Sequence, residues 1–302
     1  MSARLHVGGD KFFHEKAISP LLELGAYEAL WAENESTTFK KIADIFREHS
    51  DSLPSDLVEE RVALKYSKMV LDAVRAGDVR NFGVRVRQTI DYPPVLRDAD
   101  HPPELLYYQG EWDLIYRPCV AVVGTRQPTR DGERRARRIV HWLVEKGFSI
   151  VSGLARGIDT IAHTTALKLK GHTIAVLGMP LTRAYPRENR ALQAQIAEEQ
   201  LVISQVPFIK HARSNLHVQR MFFPERNVIM SALTRATVIV EASDTSGTLV
   251  QARHAIKQGR KLLILESCFK RGLKWPEKMV AKGAVRVRDE EQLSEVLGDA
   301  MD

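Results

Sequence analysis

From Cys119 onward the chain alternates between short, almost unbroken apolar runs and stretches of helical periodicity, and this alternation constrains the fold more than any other feature. The runs are Cys119 to Val123, Phe148 to Val151, Thr173 to Leu177, Leu201 to Ile203, Thr237 to Val240 and Lys261 to Leu265. Continuous apolar character, in place of every-other-residue alternation, marks parallel strands buried on both faces. Between them, Ala136, Ile139, Val140 and Leu143 share one helical face, as do Ile158, Ile161, Ala162, Thr165 and Leu169. Six strands alternating with helices predict an α/β fold with a doubly wound, mainly parallel sheet and ligand sites at the carboxyl ends of its strands. Ala284 to Val287 is read as one further strand and Glu290 to Leu297 as a closing helix. Strand order stays open.

The preceding segments have a different texture. Ser19-Pro20 has the chemistry of a helix start, an N-cap followed by a first-turn proline, and a second helix is expected from Thr38 to His49. Ser55 is expected to cap a longer helix ending at Gly77. Tyr92-Pro93-Pro94 and His101-Pro102-Pro103 forbid regular helix, while Leu105 to Tyr108 suits a short strand. The expected division is a small N-terminal helical module over 1–82, an extended connector packed on the core over 83–118, and the α/β domain over 119–302, in keeping with about 150 residues per domain.

Composition excludes several classes. With 44% hydrophobic and 27% charged residues the chain is an ordinary globular polymer. No apolar run approaches the ~18 residues that span a bilayer. Met1 to Asp10 lacks the apolar core of a signal peptide. Cys119 and Cys268 are too few for a disulfide framework or a zinc ribbon. A cytoplasmic protein without membrane contact is the expectation. The net charge is +6, and its distribution matters more than its size. Six arginines and two acids lie between Arg126 and Arg138. Lys210, Arg213, Arg220 and Arg226, with His211 and His217, face a single acid, Glu225, between Gln205 and Arg226. Either cluster is a polyanion surface or a solvated helix face.

The strand ends carry the chemistry. Val123-Gly124-Thr125-Arg126 places a glycine after a buried strand, where backbone can approach an anion, and then a guanidinium suited to phosphate. It is not a G-x-G-x-x-G dinucleotide fingerprint. Ser152-Gly153-Leu154-Ala155-Arg156-Gly157-Ile158-Asp159 brackets Arg156 with two glycines between strand and helix, so Ser152 and the amides near Gly157 can cradle one phosphate. Asp159 suits fixing the loop, and His163 is within reach of it on the same helix. One histidine with no second ligand makes no metal site.

Taken in order, Gly124-Thr125-Arg126, Ser152 to Asp159 with His163, Tyr185-Pro186-Arg187-Glu188-Asn189, Phe223-Pro224-Glu225-Arg226-Asn227, and Glu241 with Ser246-Gly247-Thr248-Leu249 resemble the DprA/Smf family of DNA-processing proteins. The lead-in Tyr92 to Leu96 and Leu106 to Gly110 is similar to that family's extended segment, and the resemblance covers roughly residues 85 to 290. It implies a Rossmann-like domain that binds single-stranded DNA without strong sequence preference, forms homodimers, and serves RecA loading, DNA recombination and natural transformation. Carried onto this chain, Arg126 contacts backbone phosphate and Ser152, Gly153 and Arg156 line the same pocket, with Gly124 and Gly157 at its turns. Arg220 and Phe223, ahead of Arg226 and Asn227, match a basic and an aromatic position on the DNA-facing loop, and Ser246, Gly247 and Thr248 complete the set. Of Phe222 and Phe223, one is expected in the core. A ring such as Phe223 offers a sequence-tolerant platform worth ~1–3 kcal/mol per stacked base.

The chain departs from the family pattern in places. Val228 stands where a second arginine is common, Ser204-Gln205 where Ser-Glu is usual, Glu266-Ser267 where Pro-Gly is, and Met179-Pro180-Leu181 replaces a glycine-containing turn. The winged-helix tail of many members is also expected to be missing. Two other functions compete. LOG-type phosphoribohydrolases use a related loop with a carboxylate, but Gln251 occupies that position here and cannot act as an acid or base. Divergent DprA-like proteins also resemble antitoxins of phage-defence loci, with a toxin as partner. No Ser/His/Asp set, catalytic carboxylate pair or P-loop lysine is present, so a binding protein without catalysis, cofactor or metal is the expectation.

Overall fold

The computed structural model describes residues 18–97 and 99–298; the leader reading of Met1 to Asp10 lies outside them. Nine strands form one sheet: β1 (Phe82–Val86), β2 (Leu105–Gly110), β3 (Cys119–Val123), β4 (Ser149–Ser152), β5 (Thr173–Leu177), β6 (Leu201–Ser204), β7 (Ala236–Ile239), β8 (Lys261–Leu265) and β9 (Val285–Val287). Their order is β1-β2-β6-β5-β4-β3-β7-β8-β9. β3 to β9 are parallel, and β1 and β2 add an antiparallel edge through Tyr107 opposite Ser204 and Val84 opposite Tyr107.

The six apolar runs are β3 to β8, and every residue of β3, β4, β5, β6 and β7 is buried, as their unbroken apolar character requires. β9 and the helix Glu290–Leu297 follow as expected. β1 escapes the pattern because an edge strand is only half covered: Phe82, Gly83 and Arg85 are partly exposed while Val84 and Val86 are buried. The chain winds outward from β3 to β6, then crosses back through the helix Leu216–Leu233 to lay β7 on the other side of β3. That reversal opens a crevice between the carboxyl ends of β3 and β7.

Helices cover both faces. Val120, Val122, Ile150, Val238 and Val240 pack against Arg130–Glu145 and Ile158–Lys168. Ala121, Val123, Val151, Ile174 and Ile239 pack against Leu216–Leu233 and Thr248–Lys257. The helices Pro20–Ala32, Phe39–Glu48 and Glu60–Ala76 sit over the antiparallel end, with Ser19 and Thr38 as side-chain N-caps. Ser55 does not cap the third helix. It lies in the short 3₁₀ turn Pro54–Asp56, where its hydroxyl and its amide both donate to buried Glu23, at 2.6 and 3.0 Å, since a carboxyl taken out of water needs donors.

Two features tie this helical layer down. Buried Glu28 accepts from the Tyr107 hydroxyl (2.7 Å) and from the Phe208 and Ile209 amides (2.8 and 3.0 Å), joining the first helix to β2 and to the segment after β6. Burial pushes its carboxyl up to about 7, against the pull of those three donors. Gly25 lets the first and third helices touch backbone to backbone, for a Cβ there would stand 1.8 Å from the Ala63 carbonyl oxygen. Gly25→Val should therefore force the helices apart, costing at least ~2 kcal/mol as overpacking does. Thermal unfolding followed by circular dichroism should show Tm lowered by ~2–4 °C for each kcal/mol.

Candidate nucleic-acid interface

The turn leaving β3 is drawn tightly to the end of β7: the Thr125 amide donates to the Glu241 carbonyl at 2.7 Å. Gly124 is required there, since a Cβ would lie 2.6 Å from Ile158 Cγ1 and 2.8 Å from the Glu241 carbonyl oxygen. The helix Thr248–Lys257 starts beside this turn, directing its partly positive N-terminal end at the same space. The result is a crevice of about 420 Å³ at the sheet's switch point. Of the residues singled out from sequence, Gly124, Arg126, Phe223, Arg226, Asn227, Ser246, Gly247 and Thr248 line it. Ser152, Gly153, Arg156, Gly157 and Arg220 do not.

The floor is held from within. Arg226 is 6% exposed and its Nη1 donates to the carbonyls of Gly153 (2.6 Å) and Val176 (2.8 Å), while its Nε donates to Asn227 Oδ1 (2.9 Å). A Cβ on Gly153 would overlap that guanidinium at 2.0 Å, so the glycine exists to admit the arginine. Asp159 is buried and accepts from the Gly153 and Ala155 amides at 3.2 and 3.4 Å. Burial raises its carboxyl above the ordinary range, and Arg226 and the two amides partly offset this. His163 does not bond to Asp159. Its Nδ1 pairs with Thr173 Oγ1 at 2.7 Å, and burial drives its pKa down to about 3, so it is neutral. The Ser152 hydroxyl donates to the Val122 carbonyl at 2.7 Å and has no exposed surface. Asn189 seals the same loop by donating to the Leu154 carbonyl (2.9 Å) and Thr160 Oγ1 (2.8 Å). Gly157 takes φ +73°, a left-handed backbone that favours glycine, and its missing Cβ would strike the Thr125 and Arg126 backbone.

The rim is different. Arg126 and Arg220 are exposed and their side chains make no hydrogen bond to another described residue. Arg156 is also exposed and pairs with Glu188 at the surface. The first basic cluster splits: Arg134 pairs with Asp131, Arg137 with Glu133 (3.1 Å) and Arg138 with Glu290 (3.5 Å) as a solvated helix face, and Arg135 turns inward to Glu241. Only Arg126, of those six, lines the crevice.

The two phenylalanines separate as the sequence suggested. Phe222 is in the core against Phe39, with ring centroids 5.9 Å apart, and Phe223 is half-exposed at the crevice. Phe223 lies over Gly178, where a Cβ would come within 2.6 Å of its ring, and against Tyr185 at 5.3 Å with a 54° tilt. Tyr185 is 50% exposed. No role was assigned to it from sequence; its place beside Pro186 in the Tyr-Pro-Arg-Glu-Asn run was the available signal.

Glu241 and Gln251 are already engaged within the protein. Glu241 is 2% exposed and accepts from Thr129 Oγ1 (2.8 Å) and Arg271 (2.7 Å), and Gln251 is buried with its amide on Thr237 Oγ1 (3.3 Å). Burial pushes the Cys119 and Cys268 thiols up to about 12 and about 11, which removes their nucleophilicity. Among the described residues, no group of three or more His, Cys, Asp or Glu side chains is placed to hold a metal ion, and no helix is long and apolar enough to cross a membrane.

The chain as a whole is similar to known proteins. The family model of DNA recombination-mediator protein A matches residues 84–298. The DNA processing protein DprA of Bacillus subtilis is 30% identical over 82% of this chain and 82% of its own length. Protein Smf of Synechocystis is 44% identical over 58% of this chain, a stretch that spans 44% of that longer protein. The solved DprA of Streptococcus pneumoniae superposes with a TM-score of 0.69 at 28% identity, over 90% of this chain and 98% of that one. DprA of Helicobacter pylori, solved for its unique single-stranded DNA binding mode, gives 0.60 at 27% identity over 71% and 95%. The chain belongs to the DNA recombination-mediator protein A family.

Proposed function

We propose that this protein binds single-stranded DNA, without reading its sequence, at the switch-point crevice. The observation that carries this is the pairing of exposed, unbonded Arg126 with the half-exposed ring of Phe223 on the walls of one crevice. A guanidinium takes the phosphate and a ring takes the base, and neither discriminates between bases. The N-terminal end of Thr248–Lys257, with Ser246, Gly247 and Thr248, adds a partial positive charge and hydroxyls at the same opening. Arg220, less than one helical turn before Phe223, and Arg156, once Glu188 lets it go, extend the basic rim. Arg226, Ser152 and Gly153 serve the site by shaping its floor.

The protein works by binding and not by turnover, and its place is in cytoplasmic DNA recombination: it coats an incoming strand and passes it to a RecA-type recombinase, as a homodimer. That reading rests on family membership. Sedimentation of the purified chain should show a mass near 68 kDa, twice the 34.1 kDa of one chain; a monomer at all concentrations would refute the dimer.

Arg126→Ala should leave Tm unchanged, weaken binding of labelled oligo-dT several-fold, and reduce the slope of log affinity against log salt by ~0.7, one phosphate on single-stranded DNA. Phe223→Ala should weaken binding by ~1–3 kcal/mol with the salt slope intact. Both are read by fluorescence anisotropy at two salt concentrations, and unchanged affinity in both variants would remove the proposed site. Arg226→Met should behave in the opposite way. It strands two buried carbonyls, each costing ~1–3 kcal/mol, so its loss appears first in Tm.

A further inference from the structure

An opening larger than the crevice lies elsewhere. A cleft of about 1140 Å³ separates the helical layer from the sheet, lying between the end of the helix Glu60–Ala76 and the segment Pro180–Ala184 that follows β5. Small-molecule pockets run to about 1000 Å³, so this one has room for more than a single small ligand. Of the N-terminal helices, the third lines it through Ala73 and Ala76, and no residue of the crevice does.

Three observations bear on its occupant. First, its walls carry Arg80, Arg183 and Arg190 against two acids, Asp78 and Glu198. Arg80 and Asp78 pair loosely at 3.4 Å in solvent, while the exposed Arg183 and Arg190 side chains make no hydrogen bond or ion pair with another described residue. Second, two polar side chains in the wall, both more than nine-tenths buried, have an atom left over. His211 Nε2 has no partner, and Gln193 donates its amide to the Leu181 and Arg183 carbonyls but its Oε1 is unpaired. Neither atom has accessible surface, so both sit within the wall behind the cleft. Third, Tyr185 stands between the cleft and the crevice. Residues 181 to 184 line the cleft, Tyr185 follows directly, and its ring meets Phe223 at 5.3 Å, which lines the crevice.

We propose that the DNA strand does not end at the crevice but passes over the Tyr185–Phe223 corner and continues into the cleft, where Arg183 and Arg190 take its phosphates and the helical layer forms the outer wall of the track. This rests on the crevice being a single-strand site. Tyr185 serves as a second stacking ring: its 54° tilt from Phe223 presents two faces of different direction, which suits successive bases of a strand that is turning. The N-terminal helices thereby lengthen the footprint of the sheet domain.

The test compares oligo-dT of about five nucleotides, enough for crevice and corner, with one of about fifteen. The variant Arg183→Glu/Arg190→Glu changes only exposed, unbonded side chains. It should weaken the long oligonucleotide ~10-fold or more, lower its salt slope by ~1.4 for two lost phosphates, and leave the short one within ~2-fold. Lys278→Glu/Lys282→Glu, near β9 at the far end of the sheet, makes the same change in charge away from the track and should alter neither. Equal effects of the two double variants, or of Arg183→Glu/Arg190→Glu on both lengths, would overturn the track. If Arg126→Ala weakens both lengths while Arg183→Glu/Arg190→Glu weakens neither, the crevice stands and the extension is wrong. If the unmodified protein binds neither length, the function itself is wrong and the track falls with it.

Discussion

A single buried guanidinium underlies the architecture of the site. Arg226 reaches from the helix Leu216–Leu233 under the carboxyl edge of the sheet and bonds the carbonyl of Gly153, just past β4, and of Val176 in β5. Removing a guanidinium from water costs several kcal/mol, so the arrangement persists only because two carbonyls, Asn227 and the nearby carboxylate of Asp159 compensate it. In return the β4 loop is fixed: Asp159 holds its amides, Asn189 its carbonyls, and Gly153 yields the space. The same helix carries Phe223 and Arg220 on its outer turns, so anchoring the inner residue positions the outer ones. Pro224 lies within it and leaves the Arg220 carbonyl without its helical donor, which loosens the turn that carries both.

Arginines in this chain thus divide by what already satisfies them. Arg226 is spent on backbone, Arg135 and Arg271 on Glu241, and Arg134, Arg137 and Arg138 on surface acids. Those exposed surface pairs contribute ~0–1 kcal/mol each and lose most of that in salt. Only side chains without such partners have their full charge to offer a polyanion, and among the described residues Arg126 at the crevice and Arg220, three residues before Phe223, are in that state. A count of basic residues along the sequence measures none of this. The six-arginine run between Arg126 and Arg138 supplies one crevice residue, because a helix distributes its side chains around an axis and most of that axis faces solvent.

The fold was legible where burial is symmetric. β3 to β8 are covered on both faces, and their apolar runs announced them to within a residue or two. The antiparallel β1 was not legible, since an edge strand with Arg85 and Gly83 lacks that signature, and neither was strand order, which depends on long-range pairing. For the site, the space that Gly153 leaves is filled by the Arg226 guanidinium, a neighbour that the local sequence does not name. Ser152 and Arg226 turn onto backbone carbonyls, which sequence spacing does not reveal because it locates a residue on an element without showing which way it points. Tyr185 was invisible for the same reason, its ring meeting Phe223 only after the chain has gone through a strand and two further helices.

The helical layer is bound to the sheet through a carboxyl group rather than through apolar contact alone. Glu28 accepts from β2 and from the two residues opening the segment Phe208–Arg213, the same segment whose His211 lines the cleft. Three buried donors converge on one acceptor, and each left unpaired would cost ~1–3 kcal/mol. The elements beside the cleft are therefore tied together: the first helix is joined to β2 and to Phe208–Arg213 by Glu28, and to the third helix by the backbone contact at Gly25. Preorganised charge binds a flexible strand at less entropic cost than charge on mobile segments. A helical module held this firmly suits a fixed wall of the proposed DNA path, and a loosely tethered one would not.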